Sequence, residues 1–120
     1  MAELIKLPHN HGTCDQHVLH ELPQESTIKA VSDAMKQLGD PSRLRIFWLL
    51  CHTEECVINI AAIMDMSSPA VSHHLRLLKN AGLIESERHG KEMYYRATKD
   101  ELTTSLHHII EEVGRISCPQ

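Results

Sequence analysis

Aromatic residues are scarce: Phe47, Trp48, Tyr94 and Tyr95 supply only 3% of a 120-residue chain. A core must therefore be built from Leu, Ile, Val, Ala and Met. Long apolar runs are missing as well. The longest, Ile46 to Cys51, falls far short of the ~20 residues a membrane-spanning helix needs. No apolar signal segment is visible, since the first residues carry Pro8 and several histidines, and the expected location is the cytoplasm. Internal repeats are also lacking. What remains, 42% apolar and 23% charged residues, is the balance of one globular domain with a single core.

Neither a catalytic constellation nor a dominant charge stands out. No Cys/His/Asp group or carboxylate pair has the spacing of an active site, so an enzyme is not expected. Twelve basic against sixteen acidic residues leave a net charge of −4, the wrong sign for a general polyanion binder. Yet residues 67–96 hold five basic and three acidic groups, and every other stretch is net acidic. A local basic surface on an acidic protein suits a narrow docking site. Four cysteines in a cytosolic chain read as thiols or metal ligands rather than as a disulfide framework. Ten histidines are many, and His9, His11, His17 and His20 crowd around Cys14.

Residues 1–24 show no sustained period and read as a flexible arm containing His and Cys. From Ser26 onward, Ile28, Val31, Met35 and Leu38 recur at helical steps until Gly39. Asp40-Pro41 has the form of an N-cap followed by a first-turn proline, opening a helix through Leu44, Phe47, Trp48 and Cys51. A short apolar helix over Val57 to Met64 precedes a turn at Asp65-Met66. Ser67 then caps a helix with Pro69 in its first turn, Val71, Leu75 and Leu78 inward, and Gly82 as its stop. Residues 83–97 read as a β-hairpin turning at His89-Gly90. Thr98 with Glu101 resembles a capping box before a last helix whose seam is Leu102, Leu106, Ile109, Val113 and Ile116.

The expected fold is thus mainly α with a small β-hairpin. A short helix, a tight turn and a second helix with small polar residues at its start form a helix-turn-helix over about 57–80. The wing follows over about 83–97. Such a second helix fits the major groove of duplex DNA, and short side chains at its leading end let the backbone approach phosphates. Ser67, Ser68 and Ser72 can bond phosphate oxygens. His73, His74 and Arg76 reach base edges or backbone, and Arg88 and Lys91 flank the wing turn.

The blocks Leu38-Gly39-Asp40-Pro41-Ser42-Arg43-Leu44-Arg45-Ile46, Ser67 through Lys79, Ala81-Gly82-Leu83-Ile84, and Arg88-His89-Gly90-Lys91 before Tyr94-Tyr95 resemble the ArsR/SmtB family of winged-helix repressors. The resemblance covers about residues 25–117. It implies a homodimer built from the first and last helices, with Ile28, Val31 and Met35 meeting Leu102, Leu106, Ile109 and Val113. It also implies a two-fold symmetric operator on double-stranded DNA and repression relieved by an inducer, commonly a metal ion.

Family metal sites can be compared with this sequence one by one. Where relatives carry a Cys-x-Cys before the turn, the block here is Glu54-Glu55-Cys56-Val57-Ile58-Asn59, which keeps only Cys56. The Asp-x-His site of the last helix is not matched, because Leu102 follows Asp100 where histidine is wanted. His107, His108, Glu111 and Glu112 retain chelating spacings, but a charged outer face of the last helix is the favoured reading. A third site joins the arm to Cys56 of the other subunit. Cys14 fits its first ligand, and with Val18 at the second position, His17 or His20 must substitute. A mixed set of Cys14, His17, His20 and Cys56 suits zinc, with cadmium, lead and copper(I) as other candidates. Cys51 reads as a core thiol and Cys118 as an exposed thiol, either an adventitious or an additional ligand. A thiol-based redox switch is the alternative inducer mechanism, with Trp48 standing where such relatives carry a cysteine. A metal chaperone without DNA binding is the reading from another class.

Overall fold

The structure is a computed structural model that describes residues 4–9, 11–12 and 15–119. The chain divides into two units, one up to Val31 and one from Ser32 onward. In the first, Asp15 accepts a hydrogen bond from the His17 amide (2.9 Å) and opens helix α1, Gln16–His20. The Gln16 side chain pairs with the backbone of Ile5 at 3.0 and 3.1 Å. A short helix therefore lies within the stretch the sequence presents as an arm without period. Helix α2, Glu25–Gln37, begins in this unit and ends in the second.

Four further helices and a small sheet make up the second unit. Asp40 accepts from the Arg43 amide (2.9 Å) with Pro41 in the first turn, as the sequence predicts, and α3 runs over Pro41–His52. Strand β1, Glu55–Cys56, leads directly into α4, Val57–Met64. Asp65 ends α4 in the left-handed region (φ 54°), letting the Met66 amide bond back to the Ala61 carbonyl at 3.0 Å. The Ser67 hydroxyl then accepts from the Ala70 amide (3.2 Å) and α5 spans Ser68–Asn80. This is the helix-turn-helix.

Gly82, at φ +76°, reverses the chain after α5 and delivers it to β2, Ile84–His89. Strand β3, Glu92–Ala97, returns antiparallel with His89 opposite Glu92, so Gly90 and Lys91 form a tight turn with Gly90 at φ +65°. A third strand joins this hairpin. Glu55 pairs with Tyr95 and Cys56 with Tyr94, giving the order β1-β3-β2. Sequence period cannot reveal a strand of this length. The core gathers Ile46, Phe47 and Leu50 of α3, Ile60 and Met64 of α4, Val71, Leu75 and Leu78 of α5, and Leu83, Ile84 and Leu106. No helix among the described residues is long and apolar enough to cross a membrane.

The start of α6, Glu101–Gly114, departs from the expected capping box. Its cap is Asp100, whose carboxylate accepts from the Thr103 amide at 2.8 Å. The Thr98 hydroxyl instead donates to the Gly82 carbonyl (2.9 Å) and lies 3.0 Å from the Thr103 hydroxyl, tying the end of the wing to the end of α5. Asp100→Ala should therefore cost about 1 kcal/mol, the usual value of an N-cap. Glu101→Ala should change stability by less than about 0.5 kcal/mol, as at an ordinary surface position. Urea unfolding of the two variants decides between Asp100 and the Thr98/Glu101 box.

Candidate nucleic-acid interface and metal ligands

Helix α5 is divided along its length. Val71, Leu75 and Leu78 are buried at i, i+4, i+7 spacing, whereas Ser68, Ser72, His73, Arg76 and Lys79 are exposed. Ser67 is exposed too and keeps its hydroxyl proton while its oxygen caps the helix. Arg76 Nη2 lies 3.0 Å from His73 Nδ1, so these neighbours hold one another on the outer face. Lys79 donates to the Ser86 hydroxyl at 2.7 Å, fastening the end of α5 to the wing.

The wing carries two kinds of cation. Arg96 is enclosed by Glu85 (2.9 Å), Glu87 (3.0 Å) and Glu54 (3.3 Å). The guanidinium beside it holds Glu87 below the usual carboxylate range, and those hydrogen-bonded carboxylates push Arg96 further up. Arg88 and Lys91 are exposed and make no ion pair among the described residues. They are the wing groups available to a phosphate.

His74, expected among the groups that reach toward DNA, is half-buried, and its Nδ1 accepts a hydrogen bond from Arg43 Nε at 3.2 Å. The same guanidinium donates to the Gln37 carbonyl (3.2 Å) and side-chain oxygen (2.8 Å). His74 therefore positions α5 against the start of α3. Burial chiefly, with the charges of Arg43 and His73, pulls its pKa below the usual value, while Asp40 opposes them.

Leu106 requires a correction. Placed in an intersubunit seam by the sequence, it is 7% exposed and belongs to the core of its own chain. The remaining seam residues Leu102, Ile109, Val113 and Ile116 are exposed, Val113 by 81%. Met35 and Leu38 join Ile109, Ile110, Val113 and Ile116 around an apolar groove of about 400 Å³. Ile28 and Val31, in the other unit, are exposed on α2.

Of the expected metal ligands, Cys14 lies outside the described residues. His17 and His20 sit exposed on α1, with His17 Nε2 3.7 Å from a Glu21 carboxylate oxygen. Cys56 is buried at the junction of β1 and α4, where it stands at the N-cap without a side-chain capping bond. Cys51 is half-buried, and burial, then the charges of Glu111 and Cys118, push its thiol up to about 12.

A different set of donors converges at the far end of α3. His52 Nε2 lies 3.0 Å from His107 Nε2, and Glu111 Oε2 lies 3.1 Å from His107 and 3.5 Å from His52. Cys118 donates its S–H to Glu111 at 2.8 and 2.9 Å, and its sulfur is 3.9 Å from His107 Nε2. Trp48 Nε1 also donates to Glu111 Oε2 (3.2 Å). These donated hydrogen bonds, that of Cys118 foremost, lower the Glu111 pKa, and the same carboxylate raises that of Cys118. The spacing His107–Glu111 is visible in the sequence. The contribution of His52 is not, because it depends on how α3 packs on α6. Cys118 is delivered by Arg115, which caps α6 in the left-handed region (φ 53°) and folds the chain back.

The His74 arrangement has a pH consequence. Its depressed folded-state pKa means the unfolded chain binds the proton more readily, so stability falls as pH drops below about 6.5 toward the folded value. Across this range the urea midpoint of the unaltered chain should fall more than that of His74→Gln, which has no titrating ring. Parallel pH profiles for the two proteins would refute this role.

The profile of the bacterial regulatory protein, arsR family, matches residues 40–86. A transcriptional repressor SmtB homolog of Synechocystis is 35% identical over 68% of this chain and 69% of its own length. A cadmium resistance transcriptional regulatory protein, CadC, of Listeria innocua is 45% identical over 55% of this chain, which spans 56% of that relative. Among solved structures, a homodimeric winged helix-turn-helix DNA-binding domain from Mycobacterium bovis superposes with a TM-score of 0.68 at 28% identity. It covers 82% of this chain and 94% of that one.

Proposed function

The chain belongs to the arsR family of bacterial regulatory proteins, DNA-binding transcriptional regulators of winged helix-turn-helix fold, and we propose that it is a homodimeric repressor released from a two-fold symmetric operator by a metal ion. One observation carries the DNA reading. Helix α5 buries Val71, Leu75 and Leu78 and leaves Ser68, Ser72, His73 and Arg76 outside, in the one stretch of an acidic chain that is net basic. Ser67, Ser68 and Ser72 donate to phosphates, His73 and Arg76 reach base edges or backbone, and Arg88 and Lys91 hold the adjacent backbone. Dimerisation uses the exposed apolar residues of α2 and α6: Ile28, Val31 and Met35 with Leu102, Ile109 and Val113.

The metal reading draws support from the cadmium-resistance role in the name of a relative and from the Cys and His donors of this chain. Its ligand set is Cys14, His17 and His20 of one protomer with Cys56 of the other. Zinc is the first candidate, then cadmium, lead and copper(I). Metal favours a dimer whose α5 helices are wrongly spaced for the operator, and by linkage it weakens DNA binding. A redox switch through Cys51 is disfavoured, since a thiol held near pKa 12 offers almost no thiolate at neutral pH. The regulator acts in the cytoplasm.

Operator binding followed by fluorescence anisotropy tests both halves. Arg76→Ala should weaken binding by about 5- to 150-fold, in line with ~1–3 kcal/mol for a base contact. Lys91→Ala should weaken all duplexes alike and reduce the salt slope by about one. Adding zinc to the complex should release the DNA, and Cys14→Ser or Cys56→Ser should abolish that release. An affinity unmoved by zinc, cadmium, lead and copper would remove metal control.

A further inference from the structure

We propose that His52, His107, Glu111 and Cys118 form a binding site for a zinc-class divalent ion, contained within one protomer and separate from the arm and Cys56. One ligand atom from each of the four residues lies within 4.8 Å of all the others. A tetrahedral zinc ion, about 2.0–2.1 Å from nitrogen or oxygen and 2.3 Å from sulfur, sets its ligand atoms about 3.3–3.6 Å apart. The observed separations, 3.0 Å between the imidazole nitrogens, 3.1 and 3.5 Å from them to Glu111, and 3.9 Å from His107 to Cys118, fall on both sides of that range. Side-chain adjustments of about half an ångström would reach it, on the geometry of such sites.

The donor chemistry narrows the ion. Two imidazoles, one carboxylate and one thiol are too rich in nitrogen and sulfur for magnesium or calcium, and one thiol is too few for a copper(I) site built on sulfur. Glu111 and an ionised Cys118 would bring two negative charges to balance a divalent cation. On binding, Cys118 gives its thiol proton to water, and any proton shared between the two Nε2 atoms leaves with it. Trp48, donating to Glu111 Oε2, holds the carboxylate in place as an outer partner.

Access is open: a cleft of about 380 Å³ lined by Cys51, His52, Thr103 and His107 adjoins the cluster. The other group of donors among the described residues, Glu54, Glu87 and His89, offers no such vacancy for charge, because the Arg96 guanidinium already bonds both carboxylates there. The site rests on its own geometry, whether or not it controls DNA binding.

Anaerobic titration with Co²⁺, followed by competition with Zn²⁺, tests it. In Cys14→Ser/Cys56→Ser protein, which lacks the arm site, one equivalent per protomer should bind with tetrahedral ligand-field bands and a sulfur-to-cobalt charge-transfer band. Adding Cys118→Ser should abolish the charge-transfer band and lower zinc affinity at least tenfold. His107→Gln should change the ligand-field bands. If the background variant fails to fold by circular dichroism, Cys118→Ser and His107→Gln are made in the unaltered chain, where each must lower the affinity of one of the bound equivalents at least tenfold. No binding, or spectra indifferent to both substitutions, overturns the site. Loss of metal-driven DNA release with this cobalt signature intact would fault the repressor mechanism alone.

Discussion

The inner face of α5 is the constraint on which the rest depends. Val71, Leu75 and Leu78 are packed out of water against a core that includes Ile46, Phe47 and Ile60, and that burial fixes the rotation of the helix about its axis. Once the rotation is set, the serines at the leading end and Arg76 have nowhere to point but outward. The make-up of the exposed face thus follows from hydrophobic burial on the opposite side. Arg43 adds a polar clamp, joining the end of α2, the start of α3 and His74, so that the presented face is rigid as well as oriented.

Charge is distributed by a similar division of labour. The basic stretch contains five cations, yet Arg96 is bound by three carboxylates and Lys79 leans on Ser86. Both hold the wing to its surroundings. Arg76, Arg88 and Lys91 are left at the surface, a small positive set on a chain of net charge −4. Such a protein is repelled by polyanions in general and gains affinity only where its few cations match phosphates in position.

Much of this was legible in the order of residues. Asp40-Pro41, Ser67 with Pro69, and Gly82 announce helix ends through local chemistry that acts over a few residues, and each does so in the structure. The apolar period of α5 separated its buried from its exposed positions for the same reason. Where partners are distant in sequence, the reading failed. Asp100 displaces Thr98 as a cap because the Thr98 hydroxyl is engaged by Gly82, sixteen residues earlier. Leu106 shares the period of an outer seam but meets the core, since the tilt of α6 is set by what it packs on. His74 and His52 illustrate the same limit. Their roles come from Arg43 and from His107 and Glu111, none of which is a neighbour in the chain.

The shortest strand couples parts of the molecule that helices alone would leave independent. Cys56 is at once the last residue of β1, paired with Tyr94 in β3, and the residue on which the first turn of α4 is founded. Any pull on its backbone is felt at both ends of this strap: the hairpin must follow, or the Cys56–Tyr94 pairing must break, and the entry to the helix-turn-helix tilts with it. The backbone of one residue thus ties the pitch of α4 to that of the hairpin.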